Sequence, residues 1–200
     1  VKIEPDFALE ALLPFLDAGA ELGAKEVICA PYDPDLARLA DRLGALGEAA
    51  AARGIGVSLE FFPWTVVPDL AAAIAVTEAA GPQIGILVDS LHFDRSNSRH
   101  DLLANLPPTR LRFAHLCDAP VRPPYDTEAL LHAGRAERLP PAQGEIALLA
   151  FLAALPDDLP LGLEVPMSAR MQAEGPQAVI NHVFACTQTL LAQERAARKP

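Results

Sequence analysis

Short apolar runs with β character recur along this chain, each separated from the next by one helix-forming stretch. That alternation constrains the fold more than any other feature. The runs fall at residues 27–31, 57–61, 84–89, 111–116 and 161–165. Around them, residues 8–23, 35–53, 68–80, 101–106, 146–154 and 177–197 are patterned as helices. The second of these places Leu36, Leu39, Ala40, Leu43, Leu46 and Ala50 on one face, the spacing of an amphipathic helix. Gly54 and Gly56 end it, and Gly81-Pro82 ends the next, both ordinary stop signals. A strand joined to the next by a single helix has to run parallel to it, and parallel sheets are covered by helices, so the class is α/β. Residues 118–144 read as a long loop rich in Pro and Arg, and loops of that length usually carry function.

Within the class, the choice lies between an open doubly wound sheet and a closed (β/α)8 TIM barrel. No GxGxxG or GxxxxGK[ST] phosphate loop follows any strand, which removes the main signature of a nucleotide-binding open sheet. A full barrel takes about 250 residues. A chain of 200 residues therefore predicts a single partial barrel domain over 1–200, holding strands three to eight and lacking the first two or so β/α units. Its opening, Val1-Lys2-Ile3-Glu4-Pro5, has no initiator Met and no signal-peptide pattern. It reads as the tail of a strand, as in a fragment or a processed product.

Composition excludes several classes. Lys and Arg number 16 against 26 Asp and Glu, a formal net charge of −10, which argues against nucleic acid or an anionic membrane as partner. No apolar run approaches the ~20 residues of a bilayer span. Cys29, Cys117 and Cys186 are far apart and odd in number, so no disulfide framework is expected. The expected setting is reduced and cytoplasmic. A barrel piece leaves strand edges unpaired, so either further N-terminal residues or pairing with another chain, as in a homo-oligomer, is expected.

The chemistry sits at the strand ends. Four successive strands finish in Glu60, Asp89, His115 and Glu164. In a parallel barrel all strand C-termini point to one face, so these side chains would converge there. Three carboxylates and an imidazole form a hard O/N donor set, suited to Mn, Mg or Co, with Zn also admitted. The plain alternative is four unrelated strand-end caps.

Leu59-Glu60-Phe61-Phe62-Pro63-Trp64, Val88-Asp89-Ser90-Leu91-His92, Ala114-His115-Leu116-Cys117-Asp118 and Leu163-Glu164-Val165-Pro166 together resemble the xylose isomerase-like TIM barrels. More narrowly, they are similar to the sugar phosphate isomerase/epimerase branch. The resemblance implies that Glu60, Asp89, His115 and Glu164 ligate a divalent cation, with Glu60 and Glu164 also acting in catalysis. It implies a substrate or hydrogen-bonding role for His92, the alternative being a histidine packed in a loop. The stretch from Arg138 to Glu145 resembles the family's Arg-x-x-Pro-Gly-x-Gly loop, with Ala142 standing for the first glycine, a change expected to alter the loop. Arg138 and Arg122 are the candidates to clamp a substrate oxygen or phosphate. Phe61, Phe62 and Trp64 wall the pocket or pack in the core. Asp118 reads as a loop cap rather than a ligand, and Cys117 lacks an adjacent base. His100, His132 and His182 have no ligand-like setting.

The implied activity is isomerisation or epimerisation of a sugar or sugar phosphate, by proton transfer through an enediolate. Two alternatives stand beside it. One is a dehydratase of the 3-dehydroshikimate or inosose type, and the other a silent truncated barrel serving as an interaction subunit. A DNA-repair endonuclease, also found in that superfamily, fits least at a charge of −10.

Overall fold

The computed structural model describes residues 1–197. They form two compact units, Val1–Val88 with Leu106–Arg112 and Asp89–Asn105 with the chain from Phe113 onward.

In the first unit, β1 (Lys2–Ile3), β2 (Glu26–Pro31), β3 (Gly56–Glu60) and β4 (Ile84–Asp89) alternate with α1 (Leu9–Glu21), α2 (Leu36–Ala51) and α3 (Leu70–Ala80). The last residue of β4, Asp89, opens the second unit. β1 pairs with β2, β2 with β3 and β3 with β4, all in parallel. The Asp35 carboxylate caps α2 through the Ala37 and Arg38 N–H groups, and Asp69 caps α3 through Ala72. Leu39, Leu43 and Leu46 of α2 are fully buried, as their spacing predicts. Gly44 allows α3 to come close, since a Cβ there would stand 2.7 Å from the Ala80 carbonyl oxygen. β4 is buried along its whole length, which is why it reads as a continuous apolar run.

The N-terminal ends of these strands carry a polar floor. Glu26 pairs with Arg112 at 2.7 Å and accepts from Ser58 Oγ at 3.1 Å. Arg112 also donates to the Gln83 carbonyl at 2.6 Å, and Arg110 to that of Ile84 at 2.7 Å. The strand expected at 111–116 is shorter than its sequence suggests for this reason: the Arg110 and Arg112 side chains fasten this stretch to the first unit. Pairing begins only at Ala114.

In the second unit β5 (Ala114–Leu116) lies parallel to β6 (Leu161–Leu163). Around them are α4 (Ser90–Arg95), α5 (His100–Ala104), α6 (Thr127–Arg135), α7 (Leu148–Ala153), α8 (Ser168–Glu174) and α9 (Pro176–Ala197). Phe93 and Phe151 meet edge to face at 5.4 Å, and buried Leu91, Cys117 and Ala119 pack with Ile146 and Val165.

Two departures from the sequence reading stand out. The long loop at 118–144 contains α6, whose first turn is capped by Asp126 accepting from the Ala129 N–H at 2.8 Å; its apolar residues are at most half-buried, with Ala133 packed against the Leu91, Cys117 and Ala119 cluster. α4 and α8 span six and seven residues, too short for periodicity to register. Among the described residues no helix is long and apolar enough to cross a membrane.

Candidate metal centre

The fold places two of the four expected residues at strand C-termini, one inside a strand and one just beyond a strand. Glu60 ends β3 and is 6% exposed. Asp89 ends β4, His115 lies in the middle of three-residue β5, and Glu164 follows β6 directly. Glu60 belongs to the first unit and the other three to the second.

Within the second unit, Asp89, His115 and Glu164 offer ligand atoms that all lie within 4.8 Å of one another. His115 Nδ1 is 3.5 Å from Glu164 Oε2 and 3.8 Å from Asp89 Oδ2. Asp89 is completely buried and does double duty. Its Oδ1 accepts the Leu91 and His92 N–H groups at 2.7 and 3.3 Å, capping α4, so Oδ2 is the oxygen turned toward His115. Ser90 clips the start of α4 to Cys117: its Oγ donates to the Cys117 carbonyl and accepts the Cys117 N–H, both at 2.9 Å. The sequence contains no signal for that clip.

Arg138 reaches the same place from a distant part of the chain. Residues 137–139 run as an irregular ribbon, with Asp118 bridged to Leu139 and Glu137 to Met167. The Arg138 N–H donates to the Pro166 carbonyl at 2.7 Å. This fixes the side chain so that Nη1 lies 2.6 Å from Asp89 Oδ2 and Nη2 2.9 Å from Glu164 Oε2. Nη1 also donates to the Glu164 carbonyl at 3.0 Å, which takes Glu164 out of the ladder and ends β6 before the predicted 165. Burial pushes the Asp89 carboxyl up, but the Arg138 charge with its hydrogen bond and the neighbouring imidazoles outweigh it and hold Asp89 below the usual carboxylate range. Asp89 is therefore ionised at neutral pH.

The remaining sequence candidates fall as follows. His92 sits in the first turn of α4, 2% exposed, and burial pushes its imidazole down to about 4, leaving it neutral near pH 7. Arg122 is largely exposed and its guanidinium is committed to Glu145, with Nη2 2.7 Å from Oε1. Trp64 lies in the first unit, stacked on Phe62 at 5.2 Å, and its indole N–H donates to Tyr32 Oη at 3.3 Å. Tyr32 escaped sequence reasoning because it stands 32 residues from Trp64. Phe61 is fully buried and so packs in the core. Asp118 is the loop cap it was expected to be, accepting the N–H groups of Ala119, Gly144 and Ile146. Cys117 is sealed in the interior and burial pushes its thiol up to about 12, which leaves no thiolate for nucleophilic work. Ala142 does not abandon the glycine-like loop turn; it takes it, at φ of 67°.

A divalent cation fits the three residues of the second unit on their own chemistry. Bonds of about 2.0–2.2 Å put the ligand atoms of one ion roughly 3–3.5 Å apart, close to the 3.5 and 3.8 Å separations around His115 Nδ1. Those separations are longer than good hydrogen bonds, and the donors are the carboxylate and imidazole groups that such cations take.

Comparison with known proteins gives a consistent result. A 3-dehydroshikimate dehydratase of Pseudomonas putida is 28% identical over 139 residues, which are 68% of this chain and 21% of that protein. The chain thus spans about a fifth of the length of that curated relative. A fusion protein of a xylose isomerase-like TIM barrel with a 4-hydroxyphenylpyruvate dioxygenase superimposes with a TM-score of 0.70 at 26% identity, over 78% of this chain and 26% of that one. The IOLI protein with a bound zinc atom superimposes with a TM-score of 0.74 at 20% identity, over 92% and 68%. Residues 2–184 match the family described as xylose isomerase-like TIM barrel. With its parallel strands, intervening helices and strand-end acids, the chain belongs to that family.

Proposed function

We propose that Glu60 joins Asp89, His115 and Glu164 in holding a divalent cation, and that the site moves a proton beside a carbonyl in a small polyhydroxylated substrate. The reading taken first is a sugar or sugar-phosphate isomerase or epimerase. It is carried by the convergence of Asp89, His115 and Glu164 within 4.8 Å in a member of this family.

A bound Mn, Mg, Co or Zn ion supplies Lewis acidity at the carbonyl. The proton itself is handled by the chain. Glu60 and Glu164 are the two carboxylates that remove and return it. Return to the neighbouring carbon isomerises the substrate, and return from the opposite side epimerises it. Arg138 acts on the site through the two carboxylates it holds. Neutral His92 serves as a hydrogen-bonding group. Trp64 and Arg122 remain candidates for the rim of the substrate pocket.

One observation favours a second reading. The curated relative at 28% identity is a dehydratase, and the same proton abstraction with a β-hydroxyl leaving group eliminates water. The test is a panel run with each cation in turn: ketoses, ketose phosphates and cyclic polyhydroxy ketones including 3-dehydroshikimate. Interconversion of ketoses supports the first reading, and loss of water from a cyclic ketone supports the second. Turnover indifferent to chelators would sink both.

A further inference from the structure

Arg138 is a cation sealed in the interior, 1% exposed at its side chain. Its two arms reach the two carboxylates separately, Nη1 to Asp89 Oδ2 at 2.6 Å and Nη2 to Glu164 Oε2 at 2.9 Å. These are the same oxygens that lie 3.8 and 3.5 Å from His115 Nδ1. A carboxylate oxygen has more than one lone pair, so each can accept from Arg138 while still facing His115. The guanidinium is itself anchored, with Nη1 donating to the Glu164 carbonyl at 3.0 Å and Nη2 to the Gly134 carbonyl at 3.1 Å. Glu164 is 46% exposed and has room to swing away from the like charge of Asp89. Nothing in the strand ladder prevents that, because Glu164 lies beyond β6.

We infer that Arg138 is a positioning residue, whose fork sets the spacing and aim of the Asp89 and Glu164 ligand oxygens before a cation arrives and stays on them afterwards. The inference rests on the metal reading above and adds to it a device that the bare ligand set does not contain. A planar fork fixes distance and direction at two oxygens together, whereas a lysine ammonium supplies the charge without the fork.

Two measurements test it. Metal-free wild type and Arg138→Lys, matched by far-UV circular dichroism, are titrated with Co²⁺ by calorimetry and visible absorption. Arg138→Lys is expected to bind about 10–100-fold more weakly, the usual effect of removing a group that orients a ligand, with an altered cobalt absorption envelope. An affinity equal to wild type, or tighter, overturns the inference: the arginine then contributes charge alone or competes with the cation. A wild type that binds no Co²⁺ overturns the metal reading itself. The second measurement needs no variant, and it decides the matter should Arg138→Lys not fold. The guanidinium N–H signals of Arg138 are followed by ¹⁵N NMR as Zn²⁺ is added to wild type. Signals that shift but persist are expected; their loss to fast solvent exchange shows the fork displaced, which overturns the inference.

Discussion

The Asp118 carboxylate holds Gly144, accepting its backbone N–H on Oδ2 at 2.9 Å, across 26 residues of chain. Its Oδ1 accepts the N–H groups of Ala119 and Ile146 at 2.8 and 3.0 Å. A Cβ at Gly144 would lie 2.4 Å from Asp118 Oδ1, so the approach requires glycine. One buried carboxylate thus closes the segment that delivers Arg138. Asp118→Ala strands three backbone donors and is expected to cost about 3 kcal/mol, each buried unsatisfied group being worth about 1–3. Urea unfolding checks this. Asp118→Asn, which keeps one acceptor oxygen, is expected to lose less.

Ala142 sits at φ of 67°, where a side chain clashes with its own backbone and glycine does not. Ala142→Gly is therefore expected to stabilise the protein by about 0.5–1 kcal/mol, after allowing for the greater entropy of glycine in the unfolded chain. A thermal midpoint that falls instead would show the methyl group to be packed favourably.

Asp33 is fully buried and bound by Arg38 at 2.7 and 2.6 Å and by Arg42 at 2.6 Å. The Arg38 hydrogen bond, with the smaller contribution of Arg42, holds its carboxyl down to about 2 against burial, which acts the other way. A depressed carboxyl pKa contributes stability that is complete above the unfolded-state value near 4 and is lost as pH falls toward about 2. The stability difference between wild type and Asp33→Asn should accordingly be constant from pH 7 to 5 and shrink below pH 4. A difference that stays constant down to pH 3 removes ionisation of Asp33 as its source.

For the proposed reaction, Glu60→Gln and Glu164→Gln keep a coordinating oxygen but lose the base, and each should lower turnover by roughly 10²–10⁴-fold. One variant is expected to retain exchange of the substrate's carbon-bound hydrogen with deuterated water while releasing no product, and the other to lose exchange as well. His115→Ala should reduce bound metal in elemental analysis after dialysis. Near-normal turnover in both Gln variants contradicts the two-carboxylate scheme.

Gly56 faces the Glu26–Arg112 pair directly, since a Cβ there would lie 1.6 Å from Arg112 Nη1 and 2.0 Å from Glu26 Oε1. Gly56→Ala must displace the Glu26–Arg112 pair, whose partly exposed side chains can swing aside, and is expected to cost about 1 kcal/mol or less in urea unfolding. Because this pair lies at the N-terminal ends of the strands, cation affinity should be unchanged in the folded fraction.

What the sequence by itself determined is local in origin. The period of Leu39, Leu43 and Leu46 comes from one helix turning against one sheet, and the unbroken apolar run of β4 from burial on both faces, so both were legible without coordinates. The acids at 60, 89 and 164 were legible too, because strand ends are punctuated by composition. What only the tertiary structure decided depends on bonds between distant segments. Arg138 stands 49 residues from Asp89 and 26 from Glu164, and it reaches both because Pro166 and Asp118 hold its backbone from either side. Backbone hydrogen bonds of that kind are indifferent to side-chain identity. They leave no period and no composition signal, so an arginine that read as a substrate clamp became, on folding, the buried partner of two carboxylates.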